Sequence, residues 1–182
     1  MFTNFANLKE LHLTNAFSEN IDSKYYMDDF QTMIMAALAE GVDKLMILKL
    51  GQNELWSIKD EFFCSDIFPA LSHLDLSNNQ LYELNFKFEC IKNLKYLDIG
   101  YNKIKRLNDK TLARIDGFFR MPKTKDDIPR KINLVGNPFV CDCNLRNMFN
   151  WLTNTNSNLR HREELRCYTG IPEANAGKVH VF

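Results

Sequence analysis

The pattern Leu-x-x-Leu-x-Leu-x-x-Asn-x-Leu returns in register along this chain, and few folds can accommodate it. Three well-kept copies put Leu45, Leu48, Leu50, Asn53 and Leu55, then Leu71, Leu74, Leu76, Asn79 and Leu81, then Leu94, Leu97, Ile99, Asn102 and Ile104 in equivalent slots. A weaker copy precedes them, with Leu8, Leu11 and Leu13 and with Ala16 in the asparagine slot. Another follows, with Ile132, Leu134, Asn137 and Phe139. The well-kept copies start 26 and 23 residues apart, a period that belongs to solenoids built from stacked supersecondary units. The alternating Leu-x-Leu centre of each copy is a short strand with one face inward. No copy can bury its leucines alone. The copies must stack and share one core, in which each fully enclosed leucine contributes about 1.5–3 kcal/mol.

Asn53, Asn79, Asn102 and Asn137 turn the chain off the sheet. An amide offers donors and an acceptor together, so each can satisfy backbone groups of neighbouring turns that would otherwise be buried unpaired. The expected fold is an α/β solenoid of leucine-rich repeats with a parallel concave sheet, about five repeats over residues 1–136. Two return segments are long. In DDFQTMIMAALAEG, the residues Phe30, Met33, Ile34, Ala37 and Leu38 share one helical face and Gly41 follows as a stop. This predicts a convex-side helix over residues 28–40, its methionines filling core. Residues 105–130 predict a short helix near 109–117, followed by a charged, proline-bounded surface loop, MPKTKDDIPRK. Cys64 and Cys90 each follow a repeat asparagine by eleven residues. A disulfide across adjacent turns and two separate thiols are both open.

A solenoid end exposes its leucine core and needs a lid. Residues 137–143, NPFVCDC, with Trp151 and Cys167 beyond, look like the start of the cysteine-rich helical cap that closes extracellular leucine-rich-repeat solenoids. Residues 137–182 are read as that cap. Asn144 is its expected helix N-cap, Leu145, Met148, Phe149 and Leu152 are the face laid on the last repeat, and Trp151 seals the seam. A zinc reading of Cys141 and Cys143 is short of ligands, since only Cys167 and the distant His161 are available to a metal that takes four. No metal and no cofactor are expected.

Composition works by exclusion. A formal net charge of zero and a pI near 6.9 argue against a nucleic-acid surface. No stretch reaches the roughly 18 apolar residues needed to span a bilayer, and the opening MFTNFANLKE has neither region of a signal peptide. A secretory-type cap on such a chain is read as a piece of a longer precursor. His73 and Asp75 lie on one strand face with Asp98 one repeat on, yet no serine or cysteine nucleophile with a base stands in register, so a hydrolase triad is rejected.

Recognition falls to the concave face. One row of outward positions holds His12, Lys49, Asp75, Asp98 and Asn133; a second holds Glu10, Ile47, His73, Tyr96 and Lys131; Tyr101 stands just beyond its strand. With strands about 4.8 Å apart, five of them make a platform roughly 20 Å long. Tyrosines among mixed charges suit a protein partner. Tyr168, beside a cap cysteine, is a second candidate, with packing against the cap as its alternative role.

At the level of whole motifs the chain resembles the trophoblast glycoprotein family of cell-surface leucine-rich-repeat proteins. The resemblance rests on LKELHL with its long insertion, PALSHLDLSNNQL, GNPFVCDCNLRNMFNWL and LRCYTGIPE. It implies that Cys141 bonds Cys167, the closed loop contributing about 3.5 kcal/mol in the chain-entropy model. Cys143 is then left without a partner, as expected of a cap cut short before a fourth cysteine. It also implies a type I single-pass plasma-membrane protein that inhibits Wnt/β-catenin signalling at the co-receptor step without catalysis. An adhesion or extracellular-matrix protein is the alternative. The family's N-glycosylation does not carry over, because the chain contains no Asn-x-Ser/Thr sequon.

Overall fold

The computed structural model describes residues 7–16, 32, 42–64, 68–122, 128–142, 146–154 and 158–169. The helix expected over 28–40 lies outside them, apart from Thr32, which is helical. Cys143, Asn144 and Leu145 also lie outside the described residues.

Each repeat supplies one three-residue strand: β1 (Glu10–His12), β2 (Ile47–Lys49), β3 (His73–Asp75), β4 (Tyr96–Asp98) and β5 (Lys131–Asn133). All pair in parallel, in the order β1-β2-β3-β4-β5. The central residue of each strand points inward, so Leu48, Leu74, Leu97 and Ile132 form a stack with no exposed surface. A sixth strand, absent from the repeat pattern, comes from the C-terminal region. β7 (Leu159–Arg160) pairs with β5, Leu159 beside Ile132 and Arg160 beside Asn133.

The asparagines run beneath the strand ends as a ladder. Asn79 Oδ1 accepts from the backbone N–H groups of Asn53 and Leu55, while its Nδ2 donates to the carbonyls of Leu50 and Leu76. Asn102 and Asn137 repeat this one turn on, toward Leu81 and Ile104. Asn53 Oδ1 accepts from Ala16 N–H at 2.9 Å, so the weak first copy keeps the register even though alanine fills its own asparagine slot.

The outer side of the turns is held by phenylalanine. Rings of Phe68, Phe63, Phe86, Phe88 and Phe118 touch in sequence with centroids 5.5–6.0 Å apart, in the tilted and edge-on geometries that aromatic pairs prefer. Phe118 belongs to α1 (Asp109–Arg120), whose N-cap Asn108 accepts from Thr111 N–H. The helix is longer than the expected 109–117 because Phe118 carries its buried face, with Leu112 and Ile115, into one further turn. Arg114 clamps it to the preceding turn through a bidentate pair with Glu89 and a bond to the Asn85 carbonyl.

In the cap, β6 (Phe139–Val140) pairs in parallel with β8 (Cys167–Thr169), and α2 (Arg146–Asn154) buries Met148 and Leu152. Phe149, expected on that face, is instead exposed. Met148 and Leu152 are four apart and share a side of the helix, whereas Phe149 is turned about 100° from Met148. Trp151 does sit at the seam: its indole N–H donates to Asp116 of α1 at 2.7 Å. Among the described residues no helix is long and apolar enough to cross a membrane.

Candidate functional site on the concave sheet

Strand register turns sequence spacing into two lateral rows. Glu10, Ile47, His73, Tyr96 and Lys131 are successive partners, as are His12, Lys49, Asp75, Asp98 and Asn133. β7 extends the second row with Arg160. Nothing in the repeat pattern points to Arg160; the only trace of its strand is one apolar residue, Leu159, in an otherwise polar stretch.

The rows are organised around Asp98. Its Oδ1 accepts from Gly100 N–H at 2.9 Å and Asn133 Nδ2 at 3.1 Å, and its Oδ2 accepts from the Tyr96 hydroxyl at 2.7 Å and again from Asn133 at 3.1 Å. Three donor groups thus hold the carboxylate, the single Asn133 amide nitrogen bridging both oxygens. Burial, then the bond to the Asp98 carboxylate, raises the Tyr96 phenol far above its ordinary value, with Arg160 opposing. Tyr96 is therefore fixed and neutral, with the Arg160 guanidinium 5.1 Å above its ring, a cation–π distance. Asp75 makes the shorter version of this turn, its Oδ1 accepting from Ser77 N–H.

On the other side of Tyr96 stands His73, ring centroids 6.2 Å apart. Ser72 donates its hydroxyl to the Met46 carbonyl and lies 2.8 Å from His73 Nδ1. Burial, reinforced by the Lys95 charge and opposed by Glu10, lowers the His73 pKa. At the first strand His12 and Glu10 approach to 3.4 Å.

Two candidates stand apart from the rows. Tyr101 lies on the rim, 55% exposed, with a left-handed backbone at φ 53°. Tyr168 is 69% exposed, so it is not packed into the cap. It sits on β8, outside the six-stranded sheet. A further aromatic pair escaped the sequence reading: exposed Tyr82 lies parallel to the partly buried Trp56 of the previous repeat, centroids 6.5 Å apart. The cysteines resolve the open question on the outer turns. Cys64 is bonded to Cys90, with Cα atoms 4.9 Å apart, and Cys141 to Cys167, at 5.5 Å. Persistent disulfides belong to oxidising compartments.

Comparisons with known proteins agree with this architecture. A family model described as leucine rich repeat matches residues 43–104. Trophoblast glycoprotein of Macaca fascicularis is 30% identical over 161 residues, covering 87% of this chain and 35% of that protein. The crystal structure of human 5T4 (Wnt-activated inhibitory factor 1, trophoblast glycoprotein) superposes with a TM-score of 0.66 at 30% identity, over 84% of this chain and 51% of that one. The mouse RP105/MD-1 complex matches with a TM-score of 0.60 at 26% identity, over 80% of this chain and 21% of that one. Stacked repeats, an asparagine ladder and a disulfide-bonded cap define a non-catalytic, protein-binding leucine-rich-repeat ectodomain, secreted or at the cell surface. The chain carries leucine-rich repeats, the family model matching residues 43–104, and trophoblast glycoproteins are its homologues. It spans about a third of the length of the curated relative it matches, which is 35% covered.

Proposed function

We propose that this chain is the recognition part of a plasma-membrane regulator that inhibits Wnt/β-catenin signalling by binding a protein partner, a Wnt co-receptor, on its concave face. The full-length protein in this reading is a single-pass type I membrane protein. The observation that carries the proposal is the ordered strip around Asp98. The strip holds a carboxylate bonded by three donors and an aromatic ring fixed beside it. Such a strip suits a surface that must be rigid before its partner arrives, since pre-organisation lowers the entropy lost on binding. Likeness to a structure described as Wnt-activated inhibitory factor 1 supports the signalling role, and the RP105/MD-1 complex is a protein assembly on the same fold.

The contact residues in this reading are His12, Ile47, Lys49, His73, Asp75, Tyr96 and Tyr101. Asp98 orders the strip, and Tyr168 gives a second contact on the cap. A Wnt reporter measured in cells displaying the full-length protein tests the proposal. Expected is a suppressed signal that recovers when Tyr96 and Tyr101 are both changed to alanine. An unchanged reporter, with cell aggregation appearing instead, refutes signalling inhibition in favour of adhesion.

A further inference from the structure

The charges on the concave face are not equally available. Asp98, the most central acid, is bonded by three donor groups from within the protein. Its charge is held by a phenol, an amide and a backbone N–H, and none of these donors is a cation. Two cations stand around it on the cap-proximal strands. Lys131 of β5 is the register partner of Tyr96, and Arg160 of β7 is the register partner of Asn133 and lies over the Tyr96 ring. Both side chains are exposed. Among the described residues neither forms an ion pair. The guanidinium Nε of Arg160 is taken by His161, and its central carbon lies 5.1 Å from the centroid of the Tyr96 ring, a cation–π distance. Lys131 and Arg160 sit diagonally on neighbouring strands, a separation of about 7–8 Å at the backbone. Tyr96 lies beside this pair as an apolar floor whose hydroxyl is already engaged.

From this arrangement we infer that Lys131, Arg160 and the face of Tyr96 form an anion-recognising end of the concave surface, and that the partner meets it with an acidic peptide segment. The inference rests on the proposed protein-binding role and specifies the chemistry of the partner. The remaining guanidinium N–H groups of Arg160, seated over the ring, suit a carboxylate, while lysine adds a point charge. Tyr96 gives the segment an apolar surface between the two charges, as at interface centres elsewhere. Asp98 is a positioning residue: it holds Tyr96, and through Tyr96 the guanidinium. The C-terminal cap thereby supplies a binding residue as well as a lid.

The test uses the disulfide-intact protein and a fluorescein-labelled peptide of ten glutamates carrying one tyrosine, read by fluorescence anisotropy at two salt concentrations. A lysine peptide of equal length and a heparin oligosaccharide serve as comparison probes. Expected is glutamate-peptide binding that weakens with salt and falls at least tenfold in Lys131→Glu/Arg160→Glu. Arg160→Lys should fall several-fold, with melting temperatures unchanged. Asp98→Asn should weaken binding although it removes a negative charge, an effect that simple surface electrostatics predicts with the opposite sign. Equal binding by the charge-reversed protein, or stronger binding of the lysine peptide, overturns the inference. Heparin binding that depends on both cations without glutamate-peptide binding also overturns it, because the occupant is then a sulfated glycan. If a cell-surface partner is captured through Tyr101 and its affinity is indifferent to Arg160→Glu, this inference fails while the protein-binding role stands.

Discussion

The ring of Tyr101 lies where a side chain on Gly136 would have to stand: a Cβ added to that glycine would meet Tyr101 Cδ1 at 2.4 Å. The two residues occupy the same slot in successive turns, immediately before a ladder asparagine. Every occupant of this slot, Asn15, Gln52, Asn78, Tyr101 and Gly136, has positive φ. Asparagine and glycine take that conformation readily, whereas a bulky tyrosine is uncommon there. Gly136→Ala should therefore lose about 1–3 kcal/mol of stability from its left-handed backbone and from displacing the ring. Tyr101→Asn should stay within about 1 kcal/mol of the parent, because it removes the ring but suits the backbone. Urea unfolding of both variants checks the relationship; an unperturbed Gly136→Ala would refute it.

Asn79 and Asn53 hold equivalent rungs of the ladder in different surroundings. The bonds of Asn79 to Asn53 N–H, Leu55 N–H, Leu50 and Leu76 are all buried, whereas those of Asn53 to Ala16 and Leu13 are partly so. An unsatisfied buried polar group costs about 1–3 kcal/mol. Asn79→Leu should lose about 3–5 kcal/mol, and Asn53→Leu appreciably less. Chemical denaturation of the two variants side by side measures the difference, and equal losses would count against a burial-dependent ladder.

The two disulfides span the same separation, 26 residues each, so the chain-entropy model assigns them the same contribution of about 3.5 kcal/mol. Their surroundings differ: Cys64–Cys90 joins outer turns beside the phenylalanine spine, and Cys141–Cys167 joins β6 to the start of β8. Removing the first pair by Cys64→Ala/Cys90→Ala should lower the global unfolding midpoint. Removing the second should first loosen β8, seen as faster amide hydrogen exchange around Tyr168 with protection of β3 and β4 retained. Uniform loss of protection in both variants would contradict this division.

His73 makes stability depend on pH. Its folded pKa lies below the ordinary imidazole value of 6.5, chiefly through burial and then through Lys95. Between the two values the unfolded chain binds a proton that the folded ring does not, so stability rises with pH across that window. The contribution is complete above 6.5 and is lost as pH falls through the folded pKa. Urea midpoints compared at pH 7.5 and 5.5 should fall less in His73→Gln than in the parent, and an NMR titration should put the imidazole below 6.5. Identical slopes would remove His73 as the source.

The sheet was readable because leucine spacing is the same physical fact as strand register. Once Leu48, Leu74, Leu97 and Ile132 are aligned, the neighbours of Tyr96 and Asp98 follow without further information. What was hidden depends on paths that have no period. The phenylalanine spine joins residues from return segments of unequal length, so Phe63, Phe86 and Phe118 share no common offset from their asparagines. Cys64 and Cys90 do share one, yet bonding depends on how closely the outer turns approach, which spacing leaves open. Phe149 misled because four apolar residues near one helix suggested a single broad face, while among the described residues of that helix Met148 and Leu152 are the buried ones. β7 is two residues long and carries one inward side chain, too little for any alternation to declare itself.

That short strand bears on how such proteins can be recombined. Because Leu159 and Arg160 continue the sheet begun by β1, the boundary between the repeats and the cap is not a functional seam. Exchanging the cap for one from another repeat protein would replace whatever stands beside Asn133 and above Tyr96. A chimera built to conserve the repeats would still carry a foreign side chain at the cap end of its inner surface. Grafts that preserve this chain's inner surface must therefore be cut after Arg160, not at the first cysteine.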